Sequence, residues 1–191
     1  MVKKIYIGSD HRGFKLKLKV EKWLQKNEIL YEDLGNVNYD PKDDYPDYAY
    51  KVARRVVKEK TYGVLLCGSA QGMCIAANKI NGARAVIPYT VKEAKLSRTD
   101  DDANIICVAA NFSKLRGVTR HIETFLTTPF SNGERHKRRL EKIKHIEEGK
   151  FQRKKISKSK RVNVKDGKVD IIEDVHEEEI PDGSDAPEDE E

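Results

Sequence analysis

The feature that most constrains this chain is an alternation. Short, continuous apolar runs take turns with stretches whose apolar residues recur at helical spacing. Strand-like runs occupy 3–8 (KKIYIG), a segment beginning at Ile29-Leu30-Tyr31, 62–67 (YGVLLC), 83–88 and 103–109. Helical patterns occupy 14–25, 48–59, 73–79, 91–98, 117–127 and 135–148, the first with Leu16, Leu18, Val20, Trp23 and Leu24 mostly on one face. Residues 35–47, rich in Gly, Asn, Asp and Pro, read as a loop. Strands that are apolar throughout are covered on both faces, and strands separated by helices run parallel. The expected fold is α/β: a doubly wound, Rossmann-like, parallel five-stranded sheet with helices on both faces. Ligands of such sheets sit at the carboxyl ends of the strands. The loops expected there are Gly8–Phe14, Cys67–Gly72 and Arg98–Asn104.

Composition limits the rest. The chain has 191 residues, 36% of them charged against about a quarter in an ordinary globular protein. The excess lies at the C-terminal end, so residues 1–148 are read as the domain and 149–191 as a charged, disordered tail. Residues 135–161 hold thirteen Lys/Arg and three Glu; residues 173–191 hold eleven Asp/Glu and no Lys or Arg. The basic run could touch nucleic acid, but the acidic end screens it within the same chain, and a solvated surface is the simpler reading. Within the tail, Val162, Val164, Val169 and Ile171 alternate weakly around Asp166-Gly167, the mark of a transient hairpin. Three cysteines (Cys67, Cys74, Cys107) lack metal-ligand spacing. The apolar run near the N-terminus is too short for a signal-peptide core. No stretch approaches the roughly 20 apolar residues of a membrane helix. A soluble, cytoplasmic protein with free thiols is expected.

Three segments carry chemistry. In VLLCGSAQGMCIAANK (64–79), a strand ends at Cys67 and a glycine-rich turn, Gly68-Ser69-Ala70-Gln71-Gly72, leads into a helix. Backbone N–H groups in such a turn can approach an oxyanion closely. A thiol at that edge should have a lowered pKa. The pairing suits proton abstraction next to a carbonyl, which needs a base and donors for the oxyanion that forms. In GSDHRGF (8–14), Asp10 and His11 follow the first strand and could bind sugar hydroxyls and a phosphate, or simply cap a helix. In GERHKRRLEKI (133–143), Arg135 and Arg139 share a helix face suited to a phosphate dianion, unless they are a solvated basic face.

Together with DYPDYA (44–49), GARAV (82–86), LSRTDDDAN (96–104) and the closing FSNGERHKRRLEKI (130–143), these segments resemble the ribose-5-phosphate isomerase B and galactose-6-phosphate isomerase family, from about residue 3 to 148. The resemblance implies an aldose–ketose isomerase acting on a sugar phosphate, by default ribose 5-phosphate and ribulose 5-phosphate. The reaction would pass through a cis-enediolate without metal or cofactor. It implies Cys67 as the base, Ser69 as an assisting hydroxyl, and the 68–72 backbone as the anion hole. Asp10, His11, Tyr45 and Asp101 would line the substrate, with Arg135 and Arg139 on the phosphate. It further implies a homodimer, or a tetramer of paired dimers, with sites shared between subunits. Two departures stand out. Asp100-Asp101 replaces a His-Asn pair, which leaves Asp100 or His136 as the acid that opens the sugar ring. Asn111 replaces a phosphate-binding arginine, with Lys137 or Arg138 as candidates to compensate. A non-catalytic sugar-phosphate-binding protein, or a partner subunit of a related isomerase, is the alternative these departures raise.

Overall fold

The computed structural model of the protein describes residues 4–151, together with the backbone of 159–165 and 168–175. Two compact units emerge, Met1–Lys150 and Phe151–Glu191. In the first, β1 (Ile5–Ser9), α1 (Phe14–Lys26), β2 (Tyr31–Asp33), α2 (Tyr45–Glu59), β3 (Gly63–Cys67), α3 (Gln71–Ala77), β4 (Ala85–Val86), α4 (Val91–Thr99), β5 (Ile105–Ala109), α5 (Leu115–Thr127) and α6 (Glu134–Glu147) follow one another. The five strands form one sheet in the order β2-β1-β3-β5-β4, and every pairing is parallel. The doubly wound sheet expected from the alternation is present.

Strand residues divide by parity between two cores. Ile5, Ile7, Val64, Leu66, Ile106 and Val108 pack with Val20 and Leu24 of α1 and Val118, Ile122 and Phe125 of α5. Tyr6, Leu65, Cys67, Ile105, Cys107 and Ala109 pack on the other face with Ala49, Val52, Ala53 and Val56 of α2 and Met73 and Ala77 of α3. Because α1 and α2 cover opposite faces, the chain reverses its winding direction between β1 and β3. The crevice at their carboxyl ends is the topological switch point where such folds bind ligands. Gly8, Ser9 and Cys67 end there.

Several boundaries differ from the sequence reading. β2 is Tyr31–Asp33, not a strand starting at Ile29. Its polar residues are tolerated at this sheet edge because Glu32 takes Lys4 at 2.8 Å and Arg55 at 3.0 Å. α2 begins at Tyr45, with Pro46 in its first turn, where a missing N–H costs nothing. α3 begins at Gln71, so Gln71 and Gly72 belong to the helix. β4 has only two residues. The loop 98–104 follows a helix and precedes β5, so it lies at the amino edge of the sheet, opposite the crevice, which corrects its expected placement.

The second unit contains an antiparallel pair, β6 (Ser159–Lys165) with β7 (Lys168–Val175). The hairpin suggested by the valine and isoleucine alternation therefore replaces a wholly irregular tail over those residues. The acidic end expected to be disordered lies outside the described residues. Among the described residues no helix is long and apolar enough to cross a membrane.

Candidate active site

The carboxyl ends of β1 and β3 are sewn together. The Asp10 N–H donates to Leu66 O at 3.3 Å, and the Asp10 carboxylate accepts from the Gly13 N–H at 2.8 Å. Gly13 packs so closely that a Cβ there would lie 2.1 Å from Leu66 O. This contact seats the start of α1 against the end of β3 and leaves Asp10 buried beside Cys67. Cys67 is 5% exposed, and its sulfur accepts from the Ala70 N–H at 3.1 Å. Ala70 takes a left-handed φ of +67°, which turns the 68–70 backbone around the sulfur. Ser69 is exposed beside it.

Two further close approaches shape the loop. A Cβ at Gly72 would meet the Tyr45 ring at 2.6 Å, so Tyr45 lies across the start of α3. A Cβ at Gly68 would meet Arg12 Cδ at 2.9 Å and Asn111 Nδ2 at 3.1 Å. Asn111 thus stands at the loop, its N–H donating to Gly68 O at 3.0 Å, and the Arg12 stem lies against the same glycine. The exposed Arg12 makes no ion pair among the described residues. Gln71 reaches outward to the Tyr89 hydroxyl at 3.3 Å.

The electrostatics correct one expectation. The Cys67 thiol is pushed up, first by burial and then by the Asp10 charge. Backbone N–H groups of Met73, Ala70 and Ser69 pull the other way without prevailing. The sequence reading counted the turn's donors but not the burial or the facing carboxylate. Asp10 is itself pushed up by burial, against the Gly13 N–H and the His11 charge.

His11 follows Asp10, and its Nδ1 lies 2.6 Å from Asp43 Oδ1. The other Asp43 oxygen accepts from Asn36 Nδ2 at 3.1 Å. The Asn36 carbonyl in turn accepts from Lys17 Nζ at 2.7 Å, a lysine that is fully buried and paired with Asp33. Sequence reasoning missed Asp43, Asn36, Lys17 and Arg12. Asp43 precedes the DYPDYA segment, and a carboxylate beside a motif that already reads as pocket lining was the available signal. Arg12 lies inside GSDHRGF, beside the His11 that was read as a contact, while nothing local marks Asn36 or Lys17.

The remaining site residues lie at the amino edge. Asp100 caps the end of α4 and accepts from the Thr99 hydroxyl at 2.8 Å. Asp101 is exposed, and its carbonyl accepts from Arg84. His136 is buried near the start of α6. Its Nδ1 meets Ser131 Oγ at 2.9 Å and Thr99 O at 3.3 Å, and its Nε2 accepts from Arg135 Nε at 2.7 Å. Asp100 Oδ1 is 3.8 Å from the same Nδ1. Arg135 and Arg139 are exposed, one turn apart. Glu147, at the far end of α6, holds the Gly82 N–H at 3.0 Å, keeping the helix along this edge. The four steps of β3 alone span about 13 Å. Within one chain, therefore, Cys67, Ser69, Asp10, His11, Tyr45 and the 68–72 loop form one group, and Asp100, Asp101, Arg135, His136 and Arg139 another. Among the described residues no group of three His, Cys, Asp or Glu side chains could hold a metal ion.

A family model described as ribose/galactose isomerase matches residues 5–143. A Mycoplasma pneumoniae protein named as a probable ribose-5-phosphate isomerase B is 40% identical over 140 residues, 73% of this chain and 91% of that protein. The solved structure of type B ribose 5-phosphate isomerase from Trypanosoma cruzi has a TM-score of 0.73 at 40% identity, covering 78% of this chain and 98% of that one. That of ribose-5-phosphate isomerase B from Mycoplasma genitalium, with bound ribulose-5-phosphate, has a TM-score of 0.73 at 37% identity, covering 76% and 96%. With the family model spanning nearly the whole sheet domain, the chain belongs to the ribose/galactose isomerase family, whose relatives here are sugar-phosphate isomerases of the ribose-5-phosphate isomerase B type.

Proposed function

We propose that this chain interconverts an aldose phosphate and a ketose phosphate, by default ribose 5-phosphate and ribulose 5-phosphate, with Cys67 as the proton-transferring base. The observation that carries this reading is the placement of the Cys67 sulfur at the switch-point crevice, wrapped by the 68–70 backbone and faced by buried Asp10. As thiolate, Cys67 takes the C2 proton of the open-chain aldose. The electron pair moves onto the C1 carbonyl oxygen, and N–H groups of the 68–72 loop stabilise the enediolate. The same sulfur returns the proton to C1, while Ser69 helps move the hydroxyl proton. A thiol with a raised pKa is a stronger base once ionised, which suits a weakly acidic C–H. Asp10, His11, Tyr45 and Asp101 serve as substrate contacts.

Arg135 and Arg139 hold the phosphate, and Arg12 supplies the positive charge that Asn111 does not. The two arginines of α6 lie on the opposite edge from Cys67, so each complete site needs a second copy of the chain. A homodimer with shared sites meets that need. The free thiols of all three cysteines fit a reducing, cytoplasmic setting. Residues 149–191 are a charged appendage to the isomerase domain.

A panel of aldose phosphates, read by deuterium exchange at C2 in heavy water, tests the reading. Exchange with a pentose 5-phosphate is expected. Binding without exchange across the panel would favour the non-catalytic alternative, for which the two carboxylates at Asp100 and Asp101 and the neutral Asn111 speak.

A further inference from the structure

The reaction at the crevice uses one of the three cysteines. The other two, Cys74 and Cys107, meet where α3 packs on the sheet. Cys74 lies on α3 and is partly buried, while Cys107 lies on β5 and is 1% exposed. Both belong to the core on the face that α2 and α3 cover. Their closeness follows from strand register. The Cys74 sulfur donates to Ala85 O at 3.3 Å. Ala85 stands opposite Ile105, and Ile105 and Cys107, two residues apart, point to the same face. From that position the Cys107 thiol donates to the Cys74 sulfur. Asn78 Nδ2 is a second donor to it, at 3.6 Å.

The two thiols are unlike. The Cys107 hydrogen bond draws the Cys74 thiol below its ordinary range, prevailing over burial. Cys107 itself is pushed well up, by burial first and then by Cys74. Cys67 is pushed up as well. Peroxides react with the thiolate, so exposure and thiolate character decide which cysteine is oxidised first. A second thiol in contact with the first lets oxidation stop at a disulfide instead of running on to a sulfinic acid. Of the three cysteines, Cys74 alone combines partial exposure, donors aimed at its sulfur and an adjacent resolving thiol.

We propose that Cys74 and Cys107 form a peroxide-sensitive thiol pair, and that their disulfide is a reversible brake on the chemistry at Cys67. The Cys74 thiolate attacks one oxygen of hydrogen peroxide. The O–O bond breaks, the departing hydroxide takes a proton from solvent to become water, and Cys74 becomes a sulfenic acid. The Cys107 sulfur then attacks the Cys74 sulfur. The S–O bond breaks, the hydroxyl leaves as water with the Cys107 proton, and the S–S bond forms. The pair is oxidised by two electrons and the peroxide is reduced by two. A disulfide is a far shorter contact than a hydrogen bond between thiols, so Cys74 must leave Ala85 O and α3 must shift on β5. Gln71 and Gly72, the first residues of α3, continue the turn wrapped around the Cys67 sulfur, so the helix cannot shift without moving that turn. The brake rests on the isomerase reading above; the thiol pair does not.

The test exposes the full-length protein to hydrogen peroxide, alkylates the remaining thiols and digests with trypsin. Cys74 falls in peptide 61–79, together with Cys67, and Cys107 falls in peptide 99–114. In Cys67→Ala, where Cys74 is the only cysteine of its peptide, the two peptides are expected to be joined, and to separate with dithiothreitol. In the wild-type protein the bridge should form before Cys67 loses its thiol. Turnover of ribose 5-phosphate should fall in step by roughly tenfold, since a small misplacement of catalytic groups can cost about a hundredfold, and dithiothreitol should restore it. Cys74→Ser keeps a hydroxyl for Ala85 O. It should turn over substrate like wild type before exposure, which certifies its fold, and escape the reversible loss afterwards. Two results would overturn the pair: no reaction at Cys74, or Cys74 driven to a sulfinic acid while Cys107 stays a free thiol. A bridge that leaves turnover unchanged would overturn the brake, and so would a reversible loss that persists in Cys74→Ser. If the unexposed wild-type protein shows no turnover, the isomerase reading and the brake fail together, while the joined peptides still decide the pair.

Discussion

Replacing Gly13 by alanine should be among the most damaging single-methyl changes in the domain. Its φ of −83° and ψ of −18° are open to any residue, so backbone conformation does not forbid the substitution. Sterics oppose it. The new Cβ would lie 2.1 Å from Leu66 O, 2.4 Å from Leu66 C and 3.0 Å from Cys67 N. An ordinary carbon–oxygen contact is about 3.3 Å or longer, so α1 and β3 must part by roughly 1 Å. The neighbours are backbone on both sides and cannot swing away. Overpacking of this kind costs about 1–3 kcal/mol. Straining the Gly13–Asp10 and Asp10–Leu66 hydrogen bonds adds about 2 kcal/mol. The sum, about 3–5 kcal/mol, corresponds to a Tm drop of roughly 10–15 °C for a domain of this size. Gly68→Ala meets only the movable Arg12 side chain at 2.9 Å and the Asn111 amide at 3.1 Å. It should cost less than about 1 kcal/mol, and its effect should fall on activity. Thermal unfolding followed by far-UV circular dichroism reads both. A Gly13→Ala protein within about 2 °C of wild type, or a Gly68→Ala protein that loses more than it, would refute the reasoning.

Three other outcomes follow from the same geometry. Asp10→Asn removes a charge that raises the Cys67 thiol, so alkylation of Cys67 by iodoacetamide at neutral pH should quicken; a slower reaction would contradict the assigned cause. The Glu21 carboxyl is pushed up to about 7 from 4.5, by burial first and the Asp33 charge second, against the pull of Lys17. A raised folded pKa means that the stability linked to this group is complete below the unfolded value of 4.5 and is lost as pH rises through about 7. Glu21→Gln should therefore gain Tm relative to wild type between about pH 5 and pH 8, and parallel Tm curves would count against it. Finally, mixing inactive Cys67→Ala with inactive Arg135→Ala/Arg139→Ala, after subunit exchange, should restore about a quarter of wild-type activity, because each mixed dimer contains one intact site. No recovery once mixed dimers are demonstrated would place both groups in a site made by a single chain.

Much of the architecture was legible because apolar continuity is a strong signal: β1, β3 and β5 are buried along their whole length. The start of β2 was not, since Glu32 and Asp33 are strand residues only by virtue of Lys4, Arg55 and Lys17, which come from three other places in the chain. Cys67, Asp10 and Tyr45 were found where local motifs place them. The direction of the Cys67 shift was misread because burial and the facing Asp10 are tertiary facts. The edge on which Asp100 lies could have been read: a loop that follows a helix and precedes a strand belongs to the amino edge of a parallel sheet. The Asp43–His11 contact, spanning 32 positions of chain, could not.

The central claim is that Cys67 moves the proton between C1 and C2. Deuterium incorporation at C2 of ribose 5-phosphate, measured in heavy water for wild type and Cys67→Ala, tests it most directly. The account predicts incorporation in the wild-type protein and none above background in the variant, with the sugar phosphate still bound. Incorporation at an undiminished rate in Cys67→Ala would show that another group is the base.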